Sequence, residues 1–300
     1  MNDVLSGAYG TSAPVFTEAD FTQIAKRAYQ DFGLHLAPSK KELVYSRLAK
    51  RLRELGMTDF RSYCALIESP GGGAERMQML SALTTNVTHF FREDHHFRLL
   101  RETVLPPLLA EARAGRRVRL WSAGCSAGQE PYSLAFTLLD LCPEAARLDI
   151  RILASDVDPA ILRRAEEGTY PADEIKAIPA GMRDRFLDQS GGGQFRVNDR
   201  ARGIVRFAEL NLIDDWPMRG GFDIIFCRNV AIYFDKETQA RLWQRFGALT
   251  PPGGYLFLGH SERLNGPAEA QYRNVGVTAY CRLPTNSAPG ASHQGKVRPS

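Results

Sequence analysis

Apolar positions recur at helical spacing through the first quarter of the chain, then give way to short apolar runs separated by helices. From Thr17 onward, Phe21, Ile24, Ala25 and Ala28 fall three or four residues apart and predict a helix. Thr17 caps it, and Asp20 at the third helical position gives a capping-box-like start. A second helix over 39–55 places Leu43, Val44, Leu48, Leu52 and Leu55 inward and stops at Gly56. A third begins near Asp59, whose side chain can cap it, and stops around Ser69-Pro70-Gly71-Gly72-Gly73; a short fourth covers 74–83. Residues 84–92, TTNVTHFFR, fit neither the helical nor the strand period and lead into a helix at 95–113.

Beyond this point strands and helices alternate: strand 118–122, helix 129–140, strand 149–155, helix 159–167. Residues 169–200 break the rhythm with Tyr170-Pro171, Pro179, a Ser190-Gly191-Gly192-Gly193 turn and a short alternating piece, and read as a small insertion with antiparallel strand. The rhythm resumes with a strand at 204–208, the apolar FDIIFCRN at 222–229, a helix at 236–249, the strand YLFLG and a closing strand within 276–283. The fold class is α/β. A Rossmann-like domain over 116–283 carries a small inserted β-subdomain at 169–200 and follows a helical domain over 16–85 and a linker with helix over 86–115. Residues 1–15 are expected to be loose and 284–300 disordered.

Composition narrows the class. No apolar run approaches the roughly 18 residues of a membrane span, so no membrane insertion is expected. The five cysteines, Cys64, Cys125, Cys142, Cys227 and Cys281, are scattered without a CxxC, which suits a reducing cytoplasm and argues against a disulfide framework or zinc cluster. His89, His95, His96 and His260 show no metal-ligand spacing such as HExxH, so no metal is expected. The net charge of +4 is mild, but residues 40–53 hold six basic side chains against one acidic.

Residues 118–134, VRLWSAGCSAGQEPYSL, carry the first chemical signal: a strand, a small-residue turn containing Gly124 and Gly128, and a helix start. The spacing is neither the dinucleotide GxGxxG nor a Walker loop. Glu130 at the helix start either satisfies the helix dipole or faces a cationic ligand, and it would repel a pyrophosphate. S-adenosylmethionine, with a sulfonium, an α-ammonium and no phosphate, fits better than a dinucleotide. Asp156, past the strand IRILAS, can accept both ribose hydroxyls, whereas Asp158 before Pro159 reads as a helix N-cap. Asn211 and Arg228-Asn229 follow later strands, where polar groups line the ligand crevice of a parallel sheet; each asparagine can equally be a turn residue.

Together these motifs resemble the chemotaxis receptor methyltransferase family, CheR. The resemblance covers about 15–283 and is carried by TTNVTHFFRE at 84–93, WSAGCSAGQEPYSLA at 121–135, ILASDVD with GTY at 168–170, FDIIFCRNVAIYFD at 222–235 and PPGGYLFLGHSE at 251–262. It implies transfer of a methyl group from S-adenosylmethionine to glutamate carboxylates of chemoreceptors, leaving S-adenosylhomocysteine. It further implies a cofactor site of Asn86, Thr88, Arg92, Glu130, Asp156, Asn211, Leu212, Arg228 and Asn229, with Arg92 and Tyr233 near the transferred methyl. Gln129 stands where many members have a glutamate. The basic second helix, with Lys40, Arg47, Lys50 and Arg51, resembles the element that engages the cytoplasmic region of the receptor. The insertion resembles a β-subdomain that in some members grips the receptor's C-terminal peptide by strand addition. A monomer is expected, with no nucleic-acid partner, since neither a base pocket nor a broad basic groove is apparent.

Overall fold

The computed structural model describes residues 13–85 and 87–284. Asn86, most of the N-terminal segment and the tail past residue 284 lie outside these. Four helices open the described chain: α1 (Glu18–Phe32), α2 (Lys41–Glu54), α3 (Phe60–Glu68) and α4 (Gly73–Leu83). The capping box at α1 is complete: Asp20 N donates to Thr17 Oγ1, and Thr17 N donates back to the Asp20 carboxylate. Asp59 caps α3 through Ser62 N. The inward stripe of α2 is Val44, Leu48, Ala49 and Leu52. Leu43 is 40 % exposed, contrary to expectation, because it stands about 100° off the Val44–Leu48–Leu52 line.

The helix expected over 95–113 comes in three parts: α5 (Asp94–Leu99), a π-helical turn (Leu100–Val104) and α6 (Leu105–Arg113). Pro106 and Pro107 explain the change of register, since neither can donate to the carbonyl four residues back. Leu105 N bonds Leu100 O instead. Then come β1 (Val118–Ala123), α7 (Gln129–Leu141), β2 (Ile150–Asp156) and α8 (Pro159–Glu167). The insertion holds β3 (Thr169–Pro171), α9 (Ala180–Phe186), β4 (Leu187–Gly191) and β5 (Gln194–Val197), followed by the short α10 (Asp199–Arg202). The chain ends with β6 (Val205–Glu209), β7 (Ile224–Cys227), α11 (Lys236–Leu249), β8 (Tyr255–Leu258), β9 (Tyr272–Gly276) and β10 (Ala279–Arg282).

The main sheet has seven strands in the order β6-β2-β1-β7-β8-β10-β9, and the insertion forms a separate three-stranded sheet, β3-β5-β4. β6, β2, β1, β7 and β8 run parallel, with Leu120 opposite both Ile152 and Ile224; β10 is antiparallel to β8 and β9. From β1 the chain winds outward to β2 and β6, then returns to the other side of β1 to build β7 and β8. The order therefore reverses between β1 and β7, and the two strand ends splay open there, at the usual ligand crevice of such sheets. The core of the helical domain packs against Val157 and Tyr233, so the helices sit over the carboxyl ends of the strands.

Candidate active site

A cavity of about 650 Å³ occupies that crevice. Its walls come from the loops after β1 (Gly124 to Glu130), β2 (Asp156 to Asp158), β6 (Leu210 to Leu212) and β7 (Arg228 to Phe234). Gly124, at φ 78°, is the tightest point: a Cβ there would stand 2.3 Å from Val230 Cγ2. Its small size thus lets the β1 and β7 loops touch, and only a residue free to adopt positive φ serves.

The charged floor is built around Arg228, whose side chain is 2 % exposed. Its Nη1 lies 3.2 Å from Glu130 Oε2 and its Nη2 lies 3.3 Å from Glu93 Oε2, and it also donates to the Arg92 carbonyl. Glu130 takes a second bond from Ser122 Oγ at 2.7 Å. Burial raises the Glu130 carboxyl above the ordinary value, against the pull of Arg228 and Ser122. Burial acts the same way on Glu93, but Arg228 and the His260 amide outweigh it and hold that carboxyl low. Of the two acids only Glu130 lines the cavity, and it sets a carboxyl group toward a cationic ligand there, while Glu93 holds Arg228 from outside the lining.

Asp156 stands at the end of β2. It accepts Ser126 N at 2.8 Å and Asp158 N at 3.1 Å, while burial pushes its carboxyl up. Those bonds aim the carboxylate and leave lone pairs for hydroxyl donors. Asp158 caps α8 through Ala160 N and Ile161 N. Asn211 also lines the cavity, but its side chain is largely committed: Nδ2 bonds Asp31 O at the end of α1, and Oδ1 accepts Ile213 N. Leu212 and Thr88 contribute wall. Arg92 borders the cavity with Nη1 held 3.1 Å from Val87 O, and Asn229 does so from a left-handed backbone at φ 61°. The Tyr233 hydroxyl accepts Thr85 N at 2.8 Å and donates to Thr85 O, tying the linker to the β7 loop. Of the residues expected at the cofactor and the transferred methyl, all but Asn86, which lies outside the described residues, line this cavity.

The helical domain contributes more than the sequence suggested. Phe32, Leu34 and Leu80 close the cavity from above, an apolar roof indistinguishable in sequence from ordinary core positions. Glu93, which holds Arg228, was also missed, although it ends a motif that was singled out, TTNVTHFFRE. Glu93, His95 and His96 bring ligand atoms within 4.8 Å of one another. Arg228 already supplies the positive charge there, so a metal cation would compete with a buried guanidinium.

Of the basic residues of α2, Arg47 donates to the carbonyls of Ala82 and Leu83, and Arg51 forms a two-pronged pair with Glu75. Both are structural links between α2 and α4, and Lys50 is left 78 % exposed. Gln129 is buried and donates to Glu174 of the insertion at 2.9 Å, so it acts on the subdomain and not on the cavity.

Comparison with known proteins finds matches over nearly the whole chain. A model of the SAM-binding domain of CheR methyltransferases matches residues 86–281, and one of their all-alpha domain matches 19–84. The chain is 51 % identical over 255 residues to a probable chemotaxis protein methyltransferase of Rhizobium etli, spanning 84 % of this chain and 95 % of that one. Chemotaxis protein methyltransferase 2 of Pseudomonas aeruginosa is 41 % identical, spanning 92 % of this chain and 97 % of its own length. The Escherichia coli chemotaxis protein methyltransferase is 40 % identical, spanning 90 % and 93 %. The chain belongs to the CheR methyltransferase family.

Proposed function

We propose that this protein methylates glutamate side chains of chemoreceptors, in the cytoplasm, with S-adenosylmethionine as donor and S-adenosylhomocysteine as product. The observation that carries the reading is the cavity's charge pattern: the Glu130 carboxyl beside Arg228 at the floor, an acid at Asp156, and Arg92 at the linker side. The floor suits a cationic donor, Asp156 suits the ribose hydroxyls, and Arg92 suits an incoming carboxylate. When bound, the cofactor supplies a sulfonium methyl, which a carboxylate oxygen takes as the C–O bond forms and the C–S electron pair returns to sulfur.

A glutamate carboxyl, with an ordinary pKa of about 4.3, is already ionised at neutral pH, so the site requires no general base. Its task is in-line placement and exclusion of water. Opposite charges neutralise each other as the reaction proceeds, and a residue that clamps the carboxylate too firmly would favour the ground state. Arg92, held by Val87 O on one nitrogen, has its other nitrogens to orient the acceptor. Tyr233 anchors the linker that carries Arg92 and forms part of the wall.

Receptor engagement falls to the basic helix and the residue before it: Lys40 and Lys50 are exposed, and Arg47 and Arg51 brace α2 against α4. The outer edge of β4 offers backbone groups for a receptor C-terminal strand. The test is incubation with methyl-labelled S-adenosylmethionine and receptor-containing membranes, followed by mild base. Label released as methanol, and lost when receptor glutamates are changed to alanine, supports carboxyl methylation. Base-stable label would place the methyl elsewhere.

A further inference from the structure

Behind the β7 loop, on the side away from the cavity, lies a buried carboxylate with no part in the site described so far. Glu262 is 4 % exposed and has no salt-bridge partner among the described residues. Its two oxygens accept four backbone N–H groups instead: Oε2 takes Gly259 at 2.6 Å and Asn229 at 2.8 Å, and Oε1 takes Val230 at 3.0 Å and Ile232 at 3.1 Å. Successive amides converging on one anion form a nest, and the left-handed Asn229, at φ 61°, is the turn that lets them converge.

Every peptide bond in the described chain is trans, so each carbonyl points opposite to the N–H of its own peptide plane. Holding the amides of Asn229 and Val230 on Glu262 therefore turns the carbonyls of Arg228 and Asn229 the other way. Arg228 and Asn229 line the cavity, and Glu262 does not. We infer that Glu262 is a positioning residue, which sets these two carbonyls to accept the α-ammonium of the bound cofactor. The inference rests on the cofactor assignment and is independent of which acceptor is methylated. The neighbouring Glu130 and Glu93 carboxylates provide the electrostatic setting for an ammonium at this end, while Asp156 marks the ribose end.

Gly259 belongs to the same device. A Cβ there would stand 2.6 Å from Asn229 Nδ2 and 2.8 Å from Glu262 Oε2, so any larger residue displaces the carboxylate from its amides. Glu262→Gln keeps the shape but turns an amide NH₂ toward backbone donors.

The test compares two ligands by calorimetry on the full chain. S-adenosylhomocysteine carries the amino-acid end; 5′-methylthioadenosine has the same adenosine and sulfur without it. In Glu262→Gln, affinity for S-adenosylhomocysteine is expected to fall about tenfold or more, with that for methylthioadenosine within about twofold of wild type. Glu262→Asp, which keeps the charge on a shorter arm, should fall between. Gly259→Ala carries the same comparison if Glu262→Gln does not fold. Equal losses for both ligands, or no loss for S-adenosylhomocysteine, overturns the inference. A wild-type protein that binds S-adenosylhomocysteine yet methylates no receptor glutamate would overturn the proposed function and leave this inference standing.

Discussion

Arg228 Nη1 meets Glu130 Oε2 at 3.2 Å, joining the end of β7 to the first turn of α7 across the point where the sheet reverses its order. The same guanidinium holds Glu93 of the linker, so three separated parts of the chain share one buried charge. Arg228→Ala leaves two buried carboxylates without a counter-ion, and breaking a buried ion pair from one side costs about 3–5 kcal/mol. Denaturant unfolding should register that loss. Adding Glu130→Gln should recover part of it, because one stranded charge is removed. Strictly additive losses in the double variant would show that the two side chains are not energetically coupled.

Tyr233→Phe separates two roles for the hydroxyl. Its bonds to Thr85 N and Thr85 O hold the linker, and losing them should cost about 1 kcal/mol and raise the KM for S-adenosylmethionine several-fold, with kcat little changed. A drop in kcat of about a hundredfold at unchanged KM would instead mean that the hydroxyl acts at the transferred methyl.

Many elements of both domains were readable because strand, turn and helix each leave a local mark: Asp158-Pro159 starts α8, and Asp59 starts α3. The failures have physical causes. β9, YRNVG, is an edge strand that buries Tyr272, exposes Arg273 and Asn274, and lacks an alternating apolar pattern. The π turn depends on Pro106 and Pro107, which follow it at the start of α6, while the local spacing through Leu100–Val104 still reads as α. Within the site, Glu130 and Asp156 announced themselves by their places at strand and helix ends. Glu262 and Glu93 did not, because their partners are backbone amides and an arginine more than 100 residues distant, contacts that only the fold creates. The roof from Phe32, Leu34 and Leu80 was hidden for the same reason.

The basic helix α2 divides into two kinds of residue. Arg51 is paired with Glu75, whose side chain is largely buried, so Arg51→Ala should lower stability by about 2–3 kcal/mol. Lys50 projects into solvent, and Lys50→Glu should leave the melting temperature unchanged while weakening receptor methylation and its salt dependence. Methylation kinetics at two ionic strengths, beside thermal melts, decide the matter. A Lys50→Glu protein with wild-type KM for receptor would remove this residue from the docking face.

His96 makes stability depend on pH. It is fully buried, and Nε2 donates to Val277 O at 2.8 Å, which leaves the lone pair on Nδ1 facing Glu93. Burial chiefly, with Arg228 and His95 adding to it, lowers its pKa to about 4. The unfolded chain takes up the proton near the ordinary value of about 6.5, so between the two values the unfolded state binds more protons. Stability should therefore be level above pH 6.5 and fall as the pH drops toward 4. Glu93, held below its ordinary value, loses its contribution in the same direction at the acid end. The His96 share has a slope of up to about 1.4 kcal/mol per pH unit and a total of about 3 kcal/mol. His96→Gln, which keeps a donor for Val277 O and cannot titrate, should show a shallower decline in urea-unfolding free energy between pH 7 and 5. Parallel curves for the two proteins would show that this imidazole does not govern the acid limb.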